Sequence, residues 1–350
     1  MQRIEVVAGH VTAAEQTHPS EAHRGSDSIR VPLVYTGSGD EHEVDIANGR
    51  VLDVSFEADG FTCAKLPAHV SDIASDFLAG AVASPQAVAD RMYPVVEQMV
   101  KATTGASKVF VFDHIYRNRQ RLEQEARAGI KREDKDKATP FLAAPSANLG
   151  AHNDYSVRSG ITRPHSLFAP YESKEQRDAV IGDISQIEKL GGTGSARVQI
   201  VNFWWPLADA DATPLALCRW RSIVPRDVQT NRILYKHREN AETYRVHYNP
   251  AHEWVYYPQM THQEALIFKQ ADSCTESSRF SFHAAFKPPG ALGDRVSMEF
   301  RTVVLMGDDD SLPADFAKGF IAPHLDTNSG DADARLSAEG REILPQSDEW

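Results

Sequence analysis

From Ala196 to Met306 the chain is a succession of short apolar, aromatic-rich runs divided by Pro, Gly and Asp, and this punctuation limits the fold more than any other feature. Ala196 to Leu207 and Pro214 to Val224, separated by Asp-Ala-Asp-Ala-Thr at 209 to 213, read as consecutive antiparallel strands. Trp254 to Tyr257, Ala265 to Phe268, Arg279 to Phe286 and Arg295 to Met306 repeat the pattern. Many short strands with turn signals and few helices predict a mainly β fold, a sandwich or a barrel. Among these, a jelly roll is the form that commonly carries a metal in its mouth.

The first half of the chain predicts flanking layers. Val31 to Thr36 and Val51 to Glu57 have strand character, with Gly-Ser-Gly-Asp at 37 to 40 as turn residues, and are expected to pair. Ser84-Pro85 is an N-cap followed by a first-turn proline, and Val88, Met92, Val95, Val96, Met99 and Val100 recur at helical spacing until Gly105. This helix is expected to pack outside a sheet, with a kink at Pro94. Lys108 to Tyr116 is the first strong strand. Its neighbours Asp113 and His114 face opposite sides and read as a structural hydrogen-bonded pair. Residues 119 to 139 read as a solvated helix or loop, and a surface helix is expected from Ser173 through Val180, Ile184 and Ile187 to Gly191. Residues 1 to 30 are expected to be a flexible arm, 31 to 306 one domain, and 307 to 350 an acidic tail or lid.

The formal net charge of −12 over 350 residues argues against a nucleic-acid footprint, which needs clustered Lys and Arg. No apolar run approaches the ~20 residues that span a bilayer. The first thirty residues lack the apolar centre of a signal peptide. A cytoplasmic protein acting on a small molecule is expected, without nucleic-acid or membrane partners. A homodimer is compatible with the sequence, which specifies no oligomeric state. Cys63, Cys218 and Cys274 are odd in number and in no metal-ligand spacing, and are expected as reduced, buried thiols.

Histidine and carboxylate two apart share a strand face, and this chain has four such pairs: His152/Asp154, His237/Glu239, His262/Glu264 and His324/Asp326. His324 has no later histidine to join it. His237 sits in the charged Lys-His-Arg-Glu-Asn run, and Thr261-His-Gln-Glu264 fits a capping box that would occupy Glu264. His152 and Asp154 remain, followed by Tyr155, Ser156 and Val157, which suit a strand. For a third ligand His247, His252, His262 and His283 compete. His283 is central in an alternating run and is followed twelve residues later by Arg295, so two antiparallel strands can bring both into one cavity. Two imidazoles and one carboxylate on one side of a metal is the arrangement of non-haem Fe(II) oxygenases. Arg295 and Ser297 share a face and suit a bound carboxylate. Glu299 and Arg301, on that same face, read as an internal ion pair or a rim pair rather than ligands, with Arg301 the fallback for Arg295 if that side chain points outward. The bland alternative is that His152 and His283 are ordinary hydrogen-bonded core histidines.

Several stretches together resemble, in order, the AsaB hydroxylase/desaturase family, also described as CmcJ/NvfI-like. They are Phe56-Glu-Ala-Asp-Gly-Phe61, Thr104 to His114, Ala151 to Ser156, Pro214-Leu-Ala-Leu217, Trp254 to Pro258, and His283-Ala-Ala-Phe286 followed by Arg295 to Arg301. The resemblance runs from about residue 30 to 306. It implies a double-stranded β-helix (jelly roll, cupin-like) and an enzyme of natural-product biosynthesis using Fe(II), 2-oxoglutarate and O2 for hydroxylation, desaturation or ring closure. It further implies His152, Asp154 and His283 as iron ligands, with Arg295 and Ser297 holding the distal carboxylate of 2-oxoglutarate. Where the family has Trp-Arg-Pro this chain has Trp204-Trp205-Pro206, so a contact made there by the arginine is expected to be lost or supplied elsewhere, with Arg158 as a candidate. Tyr155, Arg158 and Trp204 are candidate substrate contacts, while Trp205 and Tyr257 are further aromatics for the pocket or the core. The rival readings are a metal-dependent cupin-type enzyme without a 2-oxo acid, and a non-catalytic ligand-binding sandwich.

Overall fold

The alternation that marks the strands in sequence also decides what each sheet face touches. The computed structural model describes residues 27–80, 82, 84–127, 148–168, 197–235, 241–306 and 338–343. A nine-stranded mixed sheet contains β1 (Ser28–Tyr35), β2 (Asp40–Asn48), β5 (Gly150–Asn153), β7 (Leu215–Cys218), β8 (Val228–Tyr235), β9 (Ala241–Val246), β10 (Trp254–Tyr256), β12 (His283–Ala285) and β14 (Ala338–Ile343). Its order is β1-β2-β10-β7-β12-β5-β9-β8-β14, and a further pairing of β1 with β5 closes part of it into a ring. The second sheet is antiparallel, in the order β3-β11-β6-β13-β4, from β3 (Phe61–Lys65), β4 (Lys108–Arg117), β6 (Arg197–Ala208), β11 (Glu264–Asp272) and β13 (Val296–Met306). Together they make the jelly roll.

Val201, Phe203, Trp205 and Leu207 of β6 pack with Met298 and Phe300 of β13 against α2 (Val70–Leu78) and α3 (Pro85–Thr104). The alternate residue Trp204 turns inward with Leu266 and Phe268, meeting Leu215, Leu217 and Val255 of the larger sheet. The expected helix is α3: Ser84 Oγ accepts from Ala87 N at 3.1 Å, Gly105 closes it at φ 71°, and it runs on through Pro94. No helix among the described residues is long and apolar enough to cross a membrane.

Three local expectations are corrected. The partner of β1 is Asp40–Asn48, not Val51 to Glu57, which instead holds the end of a 3-10 turn and the start of α1 (Phe56–Asp59). The strand is masked in sequence because its outward face is charged and only Val44 and Ile46 are buried apolar residues. The strand begun at Gly150 stops at Asn153, and α5 (Val157–Phe168) follows, with Ser156 Oγ accepting from Ser159 N at 3.0 Å. Gly160 is what lets α5 lie on β11, since a Cβ there would come within 2.1 Å of Ala271 Cβ. The run at Pro214 to Val224 is a strand only to Cys218, after which Trp220–Ser222 forms a 3-10 turn. Of the segment expected as a C-terminal tail, Ala338–Ile343 pairs with β8 as an edge strand. The helix expected from Ser173 and the remainder of both termini lie outside the described residues.

β11 carries a bulge: its register against β6 slips between Lys269 and Ala271, leaving Gln270 as the extra residue. The bulge is clamped by ions. Lys269, wholly buried, donates to Asp272 Oδ2 at 2.8 Å and to the Ser278 carbonyl at 3.1 Å, while Arg197 Nε donates to Asp272 Oδ1 at 2.8 Å. Burial alone would raise the Asp272 carboxyl, but Arg197 and Lys269 outweigh it and hold the group below its ordinary value. A depressed carboxyl contributes stability that is full above the unfolded value near ~4 and is lost as pH falls through the folded one. Asp272→Asn is therefore expected to cost about 3 kcal/mol at pH 7 in urea unfolding. The gap to wild type should shrink below about pH 4.

Candidate metal centre

Strands β5 and β12 lie side by side, and their register pairs His152 with His283. The imidazole centroids are 4.4 Å apart with planes inclined by 50°. Asp154, the first residue beyond β5, turns back so that Oδ1 is 3.4 Å from His152 Nε2. One ligand atom from each of the three residues falls within 4.8 Å of the others. The donor set fits a divalent transition metal. His152 Nδ1 lies 2.7 Å from the Gly150 carbonyl, a contact in which Nδ1–H donates and Nε2 keeps its lone pair for an ion. His283 Nδ1 is buried without a hydrogen-bond partner among the described residues. Burial, with His152 beside it, pushes His283 down to about 3, so its imidazole is neutral and able to ligate. Burial also acts to lower His152, but the hydrogen bond and charge of Asp154 outweigh it and raise the group.

The two Asp154 oxygens have different duties. Oδ2 accepts from Arg301 Nη2 at 3.1 Å and Asn202 Nδ2 at 3.2 Å, leaving Oδ1 toward the histidines. Burial would raise this carboxyl, yet Arg301, with His152 and His283, holds it well below the usual range. Arg301 also meets Asp113 at 2.8 Å and Glu299 at 3.4 Å, so it belongs to an internal network as expected and extends it to Asp154. The main chain is placed by the bulge: Asp154 N donates to Gln270 Oε1 at 2.8 Å, and Asn153 Nδ2 donates to the Gln270 carbonyl at 2.7 Å.

Arg295 is buried between the sheets, 5% exposed, over the inward-facing Trp204 ring at 5.0 Å. Nε donates to Ser297 Oγ at 3.3 Å, and Nη1 donates to the carbonyls of Thr213 and Pro214. None of these partners is an anion. Burial, with Arg117 adding to it, lowers this guanidinium to about 9, outweighing the opposing charges of Glu299 and Asp294.

Of the histidines that compete for the third position, His252 has another partner. His252 Nε2 lies 3.1 Å from Asp227 Oδ2 in a buried pair. Glu264 is taken by Arg50 in a two-pronged bond at 2.8 and 2.9 Å and accepts from Thr261 N at 3.3 Å. Asp113 and His114 do face opposite sides, but they bond to different partners, Arg301 and the Tyr93 hydroxyl. His237 and His324 lie outside the described residues. Trp205 also corrects an expectation: its side chain faces the helices, with Nε1 donating to the His262 carbonyl at 2.7 Å and the ring against Phe77. The position of the family's arginine thus points away from the cavity here, and no replacement is called for. Arg158 is not one, because the strand ends before it and it sits exposed on α5. Tyr155 packs beside Phe112, Ile200 and Val303, with Asp154 and Arg301 close enough to act on its hydroxyl.

Asn202, Gln270 and Thr213 were not singled out by sequence. Asn202 has a signal, as a polar residue in the middle of Ile-Val-Asn-Phe-Trp-Trp; Gln270 has none, because no pattern announces a bulge. Gln270→Leu strips the buried Asp154 N–H of its acceptor. It is expected to lower stability by about 1–3 kcal/mol and divalent-ion affinity roughly ten- to a hundredfold, read by Co(II) titration.

Comparison with known proteins agrees with this architecture. The hydroxylase/desaturase efuI of Hormonema carpetanum is 26% identical over 235 residues, 64% of this chain and 72% of that protein. The alpha-ketoglutarate-dependent dioxygenase tstK of Talaromyces stipitatus is 26% identical over 230 residues, 63% of this chain and 71% of its own length. Among solved structures, the iron and alpha-ketoglutarate-dependent endoperoxidase NvfI superposes with a TM-score of 0.57 at 20% identity, covering 80% of this chain and 98% of NvfI, which supports the fold. The model of the oxidoreductase/YMDC permease-like domain matches residues 29–305, and the chain belongs to that family.

Proposed function

We propose that this protein is an Fe(II)- and 2-oxoglutarate-dependent oxygenase that oxidises a small natural-product intermediate by hydroxylation, desaturation or oxidative ring closure. The observation that carries the reading is the pairing of His152 with His283 across two strands, with a carboxylate oxygen of Asp154 within 4.8 Å of a ligand atom on each, joined by a buried Arg295 that stacks on the inward-facing Trp204 and donates to neutral groups. The names of the relatives, a hydroxylase/desaturase and an alpha-ketoglutarate-dependent dioxygenase, point the same way. In this reading residues 31–306 form one oxygenase domain.

His152, Asp154 and His283 would hold the iron from one side and leave positions for the 2-oxo acid and O2. When bound, iron with 2-oxoglutarate and O2 supplies an oxidant able to take a hydrogen from the substrate, with succinate and CO2 as co-products. The chain's own work is placement. Arg301 and Asn202 keep Asp154 Oδ2 occupied so that its other oxygen serves the ion, and the Gly150 carbonyl sets the His152 ring. Arg295 and Ser297 anchor the distal carboxylate of 2-oxoglutarate. Phe268, whose ring centroid is 5.0 Å from that of His283, and Leu217, paired with His283 across the sheet, keep the floor of the site apolar and exclude water. Tyr155, next to Asp154, is the substrate contact this reading retains.

Anaerobic titration with Fe(II) and then 2-oxoglutarate is expected to give the weak visible charge-transfer band at one iron per chain. The band should be absent in His283→Ala. In Arg295→Ala, iron should bind while the 2-oxoglutarate needed rises more than tenfold, the loss of a charged hydrogen-bond anchor. Iron binding without a band in folded wild type would favour a cupin-type enzyme with no 2-oxo acid, and no iron binding would leave a ligand-binding sandwich.

A further inference from the structure

Two buried polar atoms on residues that touch Arg295 have no hydrogen-bond partner among the described residues: Trp204 Nε1 and Thr213 Oγ1. Both residues are 1% exposed. They reach the guanidinium from opposite layers. Trp204, on β6 of the five-stranded sheet, lies under it with the ring centroid 5.0 Å away; Thr213, in the connection leading into β7 of the larger sheet, accepts from Nη1 through its carbonyl. The Ser297 hydroxyl lies 3.3 Å from Nε on the same guanidinium.

Burying an N–H or a hydroxyl with nothing to bond costs free energy, and proteins retain such atoms where a ligand completes them. An indole N–H can only donate, so what completes Trp204 must accept. A hydroxyl can donate as well, and the guanidinium beside them is cationic and, among the described residues, hydrogen-bonded to no anion. An indole N–H, a hydroxyl and a guanidinium, all buried on residues that touch one another, suit a group with several acceptor lone pairs and a negative charge, which is a carboxylate. The neighbouring indole shows the contrast: Trp205 Nε1, on the opposite face, is satisfied by the His262 carbonyl and is part of the helix-facing core.

Building on the cosubstrate reading above, we propose that Trp204 and Thr213 complete the anchor for the distal carboxylate of the 2-oxo acid, Trp204 donating through Nε1 and Thr213 through its hydroxyl. Trp204 is then a cosubstrate contact rather than a substrate contact. Its ring also supports the guanidinium from below, so the indole acts on the carboxylate both directly and through Arg295. Because one donor lies on β6 of the smaller sheet and the other in the connection into β7 of the larger one, the carboxylate joins the two layers of the jelly roll.

The test is anaerobic titration of the Fe(II)-loaded protein with two 2-oxo acids, 2-oxoglutarate and 2-oxopentanoate, which has the same carbon chain without the distal carboxylate. Wild type, Trp204→Phe and Thr213→Val are compared, the first variant keeping a ring under Arg295 and the second keeping the side-chain shape. Trp204→Phe is expected to weaken 2-oxoglutarate roughly ten- to a hundredfold, the range for a hydrogen bond to a charged group. Binding of 2-oxopentanoate and of Fe(II) should be unchanged, and Thr213→Val should shift the preference in the same direction. A purely structural role would weaken both acids alike. Equal losses for the two acids, or an unchanged preference in both variants, would overturn the proposal while leaving the cosubstrate reading intact. Absence of the charge-transfer band in wild type would overturn both together. Should Trp204→Phe not fold, Thr213→Val alone decides the matter, since it removes a single hydroxyl.

Discussion

One residue more on β11 than on β6 sets where the carboxylate of the candidate centre stands. A strand without the bulge at Gln270 would turn that side chain to the other face of the sheet, and Asp154 N would lose its acceptor. The Lys269–Asp272–Arg197 cluster holds this irregularity in place, so a charged group far from any chemistry serves the geometry of the site. The same segment receives α5 through Gly160 against Ala271. Strand, bulge and helix contact thus bear on the few residues around Asp154.

The cavity accumulates what a core avoids. Asn202 Oδ1, Gln270 Nε2, His283 Nδ1, Trp204 Nε1 and Thr213 Oγ1 are all buried without hydrogen-bond partners among the described residues, and the buried Arg295 cation donates to a hydroxyl and two carbonyls. A sequence selected for stability alone would place apolar residues at these positions. Their clustering separates this interior from the opposite face of the same sheet, where Val201, Phe203, Trp205 and Phe300 pack without a polar interruption except an indole N–H that is satisfied.

Much of this was legible in the sequence where period and punctuation agree. Alternation in Lys108 to Tyr116, Ala196 to Leu207 and Arg295 to Met306 revealed the strands of the smaller sheet, and Ser84, Pro85 and Gly105 delimited α3. The sequence brought His152, Asp154 and His283 to notice because a histidine–carboxylate pair followed by a distant histidine is a local signature read on strands. It was silent on β2, whose charged face hides its two buried side chains, and on the early end of β5. There Asn153 and Ser156 make bonds to Gln270 and Ser159 that no propensity records. The inward or outward sense of Trp204 and Trp205 could be narrowed to opposite faces by alternation, but which of the two faces the cavity depends on helices contributed by residues 70–104. Partners such as Gln270 and Thr213 are set by register and connection, which are properties of the assembled sheets.

The contact between β12 and β5 consists of the single register pair His283–His152, whereas β12 meets β7 through three. The nine-stranded sheet is therefore thinnest at the point where the two imidazoles face each other. An ion gripped by both would rivet that seam, joining residues 131 positions apart (283 − 152) in the chain. Occupancy of the site and the cohesion of this part of the sheet would then be one equilibrium, so that whatever binds the ion also tightens the strands around it.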